Sequence, residues 1–345
     1  MLRLLIIRFS ALGDVAMTVP VVHSLAQQHS QLRISVLTKQ AYAPLYSFAP
    51  ANVETIGVQM DEYSGIAGLL RLFNQLRKRR YDAVVDLHDV LRSKILRTQF
   101  QLIGKPVAVI EKDRQTRHRL IGHGTDAEPL PTMFDRYVRT FGKLGIEVNV
   151  DFRRAFNPRH EDFTALNNIL GRKQQGELWV GVAPFAAHST KIYPLPQMRS
   201  VVQALADKGI RVFLFGAGTE EQAILDDWQN SRICSVCGKG LGLRNEMLLM
   251  SRLNAMIAMD SANMHIAALC GTPVLSIWGS THPKMGFAPW GQPVDNILQD
   301  DKLACRPCSV FGTAKCPRGD LACMEAIRPQ DVVDKCMQLI ASDAL

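Results

Sequence analysis

The sequence has no apolar run of the ~18 residues that a membrane-spanning helix requires. The apolar stretch within Met1–Arg8 is too short for a signal peptide, and no small-residue cleavage site follows it. This stretch has instead the pattern of a buried strand. We therefore expect a cytoplasmic protein that does not span the membrane.

Motifs that mark common nucleotide-dependent enzymes are also absent. The chain contains neither a Walker loop nor a Gly-x-Gly-x-x-Gly fingerprint, so a nicotinamide enzyme is not indicated. It has no Asp-x-Asp triplet, the pair of acids that often holds a nucleotide diphosphate through a divalent metal. This absence favours a site in which a lysine and helix N-termini neutralise phosphate charge.

The 345 residues exceed one typical core and fit two domains of ~150 residues each. The formal charge of +8 has two interpretations. The protein has an ordinary basic surface, or its surface attracts an anionic partner such as phosphates, an acidic glycolipid or a membrane face. Nucleic acid is not an expected partner, because no helix-turn-helix or zinc-finger pattern occurs and aromatic residues do not alternate with the basic runs.

Strand-like and helix-like segments alternate along both halves of the chain, which predicts an α/β protein with parallel sheets and helices on both faces. The rhythm restarts near residue 179, so we predict domains over 1–165 and 166–328 and a terminal helix over 329–345. Ligands of such sheets bind where the strands end. The predicted strands are Leu2–Ile7, Arg33–Thr38, Ala83–Leu87, Pro106–Ile110, Trp179–Ala183, Arg211–Phe215, Ala255–Met259 and Val274–Trp278, and the predicted helices are Val15–Gln27, Gly68–Arg80, Leu195–Lys208 and Ala262–Leu269.

The turn after the first predicted strand, Arg8–Val15, is a candidate for chemistry. Gly13 allows a tight turn, and Asp14 lies at the head of a helix. The carboxylate is either a simple helix N-cap or a functional acid, and the turn alone does not decide between them.

Two loops of the second half are candidates for binding an anion. One combines the hydroxyl groups of Ser189 and Thr190 with the positive charge of Lys191, which suits a phosphate but also occurs in ordinary polar loops. The other places Asp260 at a strand end and His265 in the first turns of a helix. Backbone N–H groups at such a helix start can hold an anion, although a histidine on an apolar helix is usually structural.

Four of the eight cysteines crowd into residues 305–323. Their spacing, C-x2-C-x7-C-x6-C, would allow tetrahedral zinc binding by Cys305, Cys308, Cys316 and Cys323, although the second pair does not have the spacing of a standard finger. Free, partly buried thiols are the alternative. In a cytoplasmic protein we do not expect a disulfide framework.

Taken together and in this order, these segments resemble glycosyltransferase family 9, the lipopolysaccharide heptosyltransferases, over most of the chain. Members open with a strand and a turn like Arg8–Asp14. They carry a segment like Asp86–Ser93 and a Lys-x-Tyr/Trp-Pro loop like Lys191–Pro194. The most specific stretch is Asp260–Pro283, and a cysteine-rich tail like Cys305–Met324 recurs in many members.

The resemblance implies a GT-B fold of two facing Rossmann-like lobes, the first for the acceptor and the second for a nucleotide sugar, with inverting chemistry and no required cofactor or metal. Its default reaction moves heptose from ADP-heptose to a lipid-linked oligosaccharide acceptor, the lipid A-linked core, at the inner face of the inner membrane. It implies that Asp14 is the general base. The implied donor contacts are Ser189, Thr190, Lys191, Glu220, Glu221, Gly238, Leu243, Asp260, Ser261, Ala262, Met264 and His265, and the implied acceptor contacts are Ser10, Gly13, His88, Arg92 and Ser93.

The chain departs from the family pattern at one point. Members often have Asp-Thr-Gly before the histidine, whereas this chain has Asp260, Ser261 and Ala262. A side chain at the third position changes how closely the backbone can approach a donor.

Two alternative functions stay open: another two-lobed nucleotide-sugar enzyme, with a different donor or an epimerase reaction, and a non-catalytic protein that binds an anionic glycolipid.

Overall fold

The computed structural model describes residues 2–122 and 128–343. The chain divides into two compact units: unit 1 is Met1–Lys112 with Pro131–Ala155, and unit 2 is Asp113–Leu130 with Phe156–Leu345. Each unit has its own sheet in which all paired strands are parallel. The structure therefore confirms the predicted α/β class with parallel sheets.

Unit 1 is built on a five-stranded sheet with helices between its strands. Its central strand is buried because residues 4–7 are apolar and are covered on both faces. The elements are β1 (Arg3–Ile7), α1 (Leu12–Ala16), α2 (Thr18–Gln28), β2 (Arg33–Lys39), β3 (Val53–Val58), α3 (Gly65–Arg77), β4 (Ala83–Asp86), α4 (Leu91–Leu102), β5 (Val107–Val109) and, after a helix of unit 2, α6 (Met133–Gly142). The strand order is β3-β2-β1-β4-β5.

Unit 2 is built on a six-stranded sheet. Its elements are α5 (Arg114–Leu120), α7 (Thr164–Leu170), β6 (Trp179–Ala183), α8 (Leu195–Asp207), β7 (Arg211–Leu214), α9 (Gly218–Asp227), β8 (Ile233–Ser235), α10 (Gly242–Met250), β9 (Ala255–Met259), α11 (Ala262–Leu269), β10 (Val274–Trp278), β11 (Ile297–Gln299), α12 (Ala322–Glu325) and α13 (Pro329–Asp343). The strand order is β11-β10-β9-β6-β7-β8, so the loops that follow β6, β9 and β10 are neighbours at one edge. No helix within the described ranges is long and apolar enough to cross a bilayer.

The segment 113–130 packs in unit 2, although it lies inside the stretch predicted as the first domain. The Gly122 N–H donates to the carbonyl of Pro307 at 2.9 Å, and the Leu130 N–H donates to that of Lys284 at 2.9 Å. The Arg117 guanidinium lies over the Phe287 ring, 4.7 Å from its centroid. These contacts join residues far apart in the chain, and no local pattern in the sequence indicates them.

The predicted elements agree best with the structure where strands are fully buried. β6, β9, β10 and α11 have the predicted bounds. The strand β3 was not predicted, because it is an edge strand whose residues are mostly half-buried and include Glu54 and Gly57. The three-residue strand β11 also escaped prediction because it is too short to show a pattern.

The close packing around β6 generates a stability prediction. A Cβ atom added to Gly181 would lie 2.5 Å from the Met256 sulfur and 2.6 Å from Leu253 Cδ1, inside the core. We expect Gly181→Ala to destabilise the protein by about 1–3 kcal/mol, seen as a lower midpoint in thermal denaturation followed by circular dichroism. Gly142→Ala is the matched control, because a Cβ there meets nothing within 4 Å at the end of α6. Equal midpoints for the two variants would contradict the argument.

Candidate functional site

The carboxyl ends of β1 and β4, which are adjacent strands, carry a cluster of polar residues in unit 1. Asp14 lies in the first turn of α1, where its Oδ2 accepts the Ala11 N–H at 3.1 Å. The same oxygen forms an ion pair with the Arg8 guanidinium at 2.6 Å. The Asp14 side chain remains 26% exposed, so the carboxylate is held in place and still accessible.

Arg8 is the buried partner that positions this carboxylate. It is 5% exposed and also donates from Nη1 to the Leu87 carbonyl at 2.6 Å. Burial alone would lower the pKa of its guanidinium, but Tyr137 and Asp14 outweigh that effect and leave the pKa raised. Arg8 therefore stays charged and ties the turn after β1 to the end of β4.

His88 follows β4 and is 7% exposed. Burial, with the charges of Arg8 and Lys112, lowers the pKa of its imidazole to about 3, so the ring is neutral near pH 7. The Phe9 N–H donates to Nδ1 at 3.4 Å, which leaves the ring proton on Nε2. That N–H faces the Ser10 hydroxyl oxygen at 3.4 Å.

The remaining predicted acceptor residues differ in how accessible they are. Gly13 shares the helix of Asp14, and Arg92 is exposed on α4. Ser93 is fully buried, and its hydroxyl exchanges two 3.0 Å hydrogen bonds with the backbone of Val90 at the start of α4. Its hydroxyl is thus occupied by the fold.

Asp86, which the sequence predictions did not include among the site residues, organises the same segment. Its side chain is fully buried at the end of β4. One carboxylate oxygen accepts the N–H groups of His88 and Asp89, both at 2.9 Å, and the other pairs with Arg97 at 2.8 Å. These contacts fix the backbone that carries His88.

In unit 2, the loops after β6, β9 and β10 bring three side chains together. Lys191 Nζ lies 2.9 Å from Asp260 Oδ2, and the Thr281 hydroxyl donates to the same oxygen at 2.7 Å. The side chains of Lys191 and Asp260 are only 12% and 10% exposed. The sequence predicted Lys191 and Asp260 as separate contacts on two loops at this edge of the sheet. It predicted neither their ion pair nor the part played by Thr281.

The helix α11 begins directly after this pair. Its first N–H groups have no partners within the helix, and its dipole favours an anion at this end. The Ser261 hydroxyl at the N-cap is buried and has no hydrogen-bond partner within the described residues. Further along the helix, Ala262 is half-buried, whereas Met264 and His265 are buried.

Ser189 and Thr190, predicted to contact a donor phosphate, are bound by the cysteine-rich segment. The Ser189 hydroxyl donates to the Ala314 carbonyl at 2.6 Å. Thr190 is 1% exposed; its Oγ1 donates to the Thr313 carbonyl and accepts from the Thr313 N–H and the Ser280 hydroxyl, each at 2.9 Å. Their geometry therefore supports the loop that presents Lys191.

The other predicted donor residues follow β7 and β8. Glu221 Oε2 accepts the Ala217 N–H at 2.7 Å at the start of α9, while Glu220 is exposed. Gly238 has a φ of +76°, a conformation that favours glycine. Leu243 is half-buried in the first turn of α10.

Arg306 is a residue that sequence reasoning missed. It is fully buried and donates to the backbone carbonyls of Gly279 at 2.5 Å, Thr281 at 3.0 Å and Trp278 at 3.2 Å. It also donates to the Asp300 carbonyl at 2.6 Å. The guanidinium thus holds the loop after β10, which carries the threonine bound to Asp260. An arginine between two cysteines gives no sequence signal of such burial.

The four cysteines of the tail line one cavity of about 20 Å³, together with Thr190 and Arg306. This volume is close to that of a single bound water. Burial raises the pKa of the Cys323 thiol to about 11 and also raises that of Cys308. Within the described residues, no three His, Cys, Asp or Glu side chains are grouped as metal ligands.

The model of the family "Glycosyltransferase family 9 (heptosyltransferase)" matches residues 69–315, more than half of the chain. The chain belongs to glycosyltransferase family 9. It is therefore a glycosyltransferase, and the predicted membership of this family is confirmed.

Two similar curated proteins come from Escherichia coli strain K12. Lipopolysaccharide heptosyltransferase 3 is 26% identical over 83% of this chain and 84% of the relative. Lipopolysaccharide heptosyltransferase 2 is 24% identical over 99% of both chains.

Solved structures show the fold of this family 9 member to be GT-B. The E. coli ADP-heptose lipopolysaccharide heptosyltransferase II aligns over 100% of both chains, with a TM-score of 0.74 and 19% identity. The E. coli heptosyltransferase WaaC with ADP aligns over 98% of this chain and 100% of that chain, with a TM-score of 0.69 and 16% identity.

Replacing Arg306 should destabilise unit 2. Arg306→Met leaves buried carbonyl groups without donors, and we expect a loss of about 2–4 kcal/mol. Arg318→Met is the matched control in the same segment, because Arg318 is 49% exposed and pairs with Asp320 at the surface. Differential scanning calorimetry should show a clear decrease in midpoint for the first variant alone. Similar midpoints would show that the buried guanidinium is dispensable.

Two buried histidines predict a dependence of stability on pH. Burial lowers the pKa of His23 to about 4, and the pKa of His88 is lowered to about 3. A histidine in the unfolded chain has a pKa of ~6.5. Above this pH the two histidines do not reduce the free energy of unfolding, but as the pH falls below it the unfolded chain takes up protons that the folded protein does not, and the fold loses stability. Between pH 7 and pH 5 we expect a loss of about 1–2 kcal/mol for each histidine.

The variant His23→Leu separates this effect from general acid sensitivity. Urea unfolding of the native protein and of the variant at both pH values should give a smaller pH-dependent difference in the variant. An identical difference in the two proteins would remove His23 from the explanation.

Proposed function

We propose that this glycosyltransferase moves heptose from ADP-heptose to a lipopolysaccharide core or lipid A-type acceptor with inversion at the anomeric carbon and without a metal. The observation that carries the donor half is the Lys191–Asp260 ion pair at the start of α11. Support comes from the relatives named lipopolysaccharide heptosyltransferases 2 and 3. It also comes from the WaaC structures with ADP and with ADP-2-deoxy-2-fluoro heptose.

The donor diphosphate would bind between Lys191 and the N-terminus of α11. Because Asp260 already neutralises Lys191, the phosphates must share this lysine with the carboxylate and draw further stabilisation from backbone N–H groups. The buried Ser261 hydroxyl supplies another donor. As the bond between the sugar and the diphosphate breaks, negative charge grows on the leaving group and these groups stabilise it.

The remaining donor contacts are assigned to the loops at the same edge of the unit 2 sheet. Asp260 and His265 would hold the sugar and diphosphate, and Glu220 or Glu221 would accept from the nucleotide ribose. The further donor residues in this proposal are Gly238, Leu243 and Ala262. Ser189 and Thr190 act indirectly, by holding the loop that presents Lys191, and Met264 is fully buried in α11.

Asp14 would act as the general base. Arg8 and the Ala11 N–H both bind Oδ2, so we assign proton transfer to Oδ1. The acceptor hydroxyl loses its proton to this oxygen as its own oxygen bonds to the anomeric carbon and the diphosphate departs. Ser10, Gly13, His88 and Arg92 are assigned to the acceptor, whereas Ser93, predicted as an acceptor contact, is fully buried and instead holds the start of α4.

A lipid-linked acceptor would place the enzyme in the cytoplasm, at the inner face of the inner membrane. Anionic lipid there would attract a protein with a formal charge of +8. Cosedimentation with vesicles containing anionic lipid should exceed that with neutral vesicles and decrease at high salt. Equal recovery with both vesicle types would argue against this location.

We also propose that Cys305, Cys308, Cys316 and Cys323 take a structural zinc ion, because the four thiols line one cavity and have the ligand chemistry for zinc. Since no three of the described side chains are grouped as metal ligands, zinc binding would have to draw these thiols closer together. Elemental analysis of protein purified without chelator should give one equivalent of zinc per chain. Cys308→Ser should lose it, whereas Cys336→Ser, outside the cavity, should retain it. Absence of zinc from the native protein would refute this site.

The reaction itself is tested by sugar transfer. Incubation with ADP-heptose and a heptose-free lipopolysaccharide core should yield the glycosylated core and ADP, detected by mass spectrometry. UDP- and GDP-sugars serve as alternative donors. Transfer from one of these and not from ADP-heptose would overturn the assignment of the donor.

Asp14→Asn should lower kcat about 100-fold or more, because the amide cannot accept the proton. The amide retains an oxygen for the Ala11 N–H, so the turn should keep its structure. Because the proposed ADP contacts lie in unit 2, ADP affinity measured by calorimetry should stay near that of the native enzyme. The control, Glu62→Gln, neutralises an exposed acid of the same unit. Near-native turnover in Asp14→Asn would exclude Asp14 as the base.

Lys191→Met should weaken ADP binding by about 10-fold or more, through loss of a charge-assisted contact with phosphate. Lys208→Met is the control, since Lys208 is an exposed lysine of the same unit. Unchanged ADP affinity in Lys191→Met would refute the phosphate assignment.

A further inference from the structure

A cavity of about 460 Å³ lies in unit 1 at the amino ends of its strands. Its walls come from the starts of β1, β2 and β3 and from the segment before β4. Since the strands are parallel, this is the edge of the sheet opposite to the one where Asp14 follows β1. The cavity is therefore separate from the polar cluster around Asp14.

Positive charge dominates this cavity. The guanidinium groups of Arg3, Arg33 and Arg79 line it, and Glu54 is the one carboxylate among the lining residues, which gives an excess of two positive charges (three minus one). Glu54 accepts from Arg79 Nη1 at 2.7 Å and from the Ser35 hydroxyl at 2.5 Å. Arg3 Nη1 donates to the Arg79 carbonyl at 2.8 Å. These contacts use one of the five N–H donors of the Arg3 guanidinium and so leave others for a ligand.

A buried hydroxyl group gives the second observation. Tyr81 lines the cavity and is only 2% exposed. Its hydroxyl lies beside the Ser35 hydroxyl and the Arg79 guanidinium, both of which also line the cavity. This buried hydroxyl is therefore held at the wall of the cavity among groups that bind anions.

We propose that this cavity binds a phosphorylated sugar. Arginine guanidinium groups match phosphate oxygens in charge and geometry, and the excess of two charges suits a phosphate monoester. The volume falls in the range of small-molecule sites, ~300–1,000 Å³, and far exceeds that of a phosphate ion alone. The Glu54 carboxylate can accept from a sugar hydroxyl, the Tyr81 hydroxyl can donate to the ligand, and Ile34 supplies an apolar wall.

Isothermal titration calorimetry with ribose 5-phosphate tests the site in the Lys191→Met background, where the proposed donor site is weakened. Binding should persist in that background. It should weaken about 10-fold or more in Arg3→Gln/Arg33→Gln, through loss of two charge-assisted contacts. The double variant Arg153→Gln/Arg154→Gln removes the same charge from exposed positions of unit 1 and should bind as before.

Tyr81→Phe removes the hydroxyl alone and should weaken binding by a smaller factor, without lowering the thermal midpoint. No binding in the Lys191→Met background would overturn the proposal. An equal loss in the two double variants would also overturn it, because a general effect of charge would then suffice. Inorganic phosphate that bound as tightly as ribose 5-phosphate would refute the sugar part. None of these outcomes bears on heptose transfer, so the two proposals fail separately.

Discussion

The parallel direction of all paired strands is the constraint from which the candidate sites follow. A parallel strand must be followed by a crossover, so every loop after a strand emerges at the same edge of its sheet. In unit 2 this brings together Lys191, Asp260 and Thr281, although the first and the last of them are 90 positions apart along the chain (281 minus 191). The burial of the strands fixes their register and hence the positions of these loops.

Charges at these edges are held in pairs. Asp14 has Arg8, Asp86 has Arg97, and Asp260 has Lys191, each at an N–O distance of 2.9 Å or less. Desolvating such charges is costly, and the pairing offsets that cost only when the geometry is good. The benefit for a transferase is preorganisation, since side chains that are already fixed need not be ordered when the substrate binds.

Much of the fold was predictable from sequence because strands buried on both faces leave continuous apolar runs. Those runs gave β6, β9 and β10 with their observed bounds, and therefore the loops that bear Lys191 and Asp260. Side-chain partners were not predictable in the same way. Nothing local in the sequence indicates that the Thr190 hydroxyl binds Thr313, or that a guanidinium in a Cys-Arg-Pro-Cys segment is wholly buried. Such contacts depend on how distant loops pack.

The path of the chain has a consequence for dissecting the enzyme. Because residues 113–130 fold with unit 2, the polypeptide crosses between the units three times, after Lys112, Leu130 and Ala155. A fragment that begins at Phe156 lacks α5 and the hydrogen bonds that its segment makes to Lys284 and Pro307. Neither half can be excised by one cut, and a protease that nicks a single crossing leaves the two halves joined covalently by the other two.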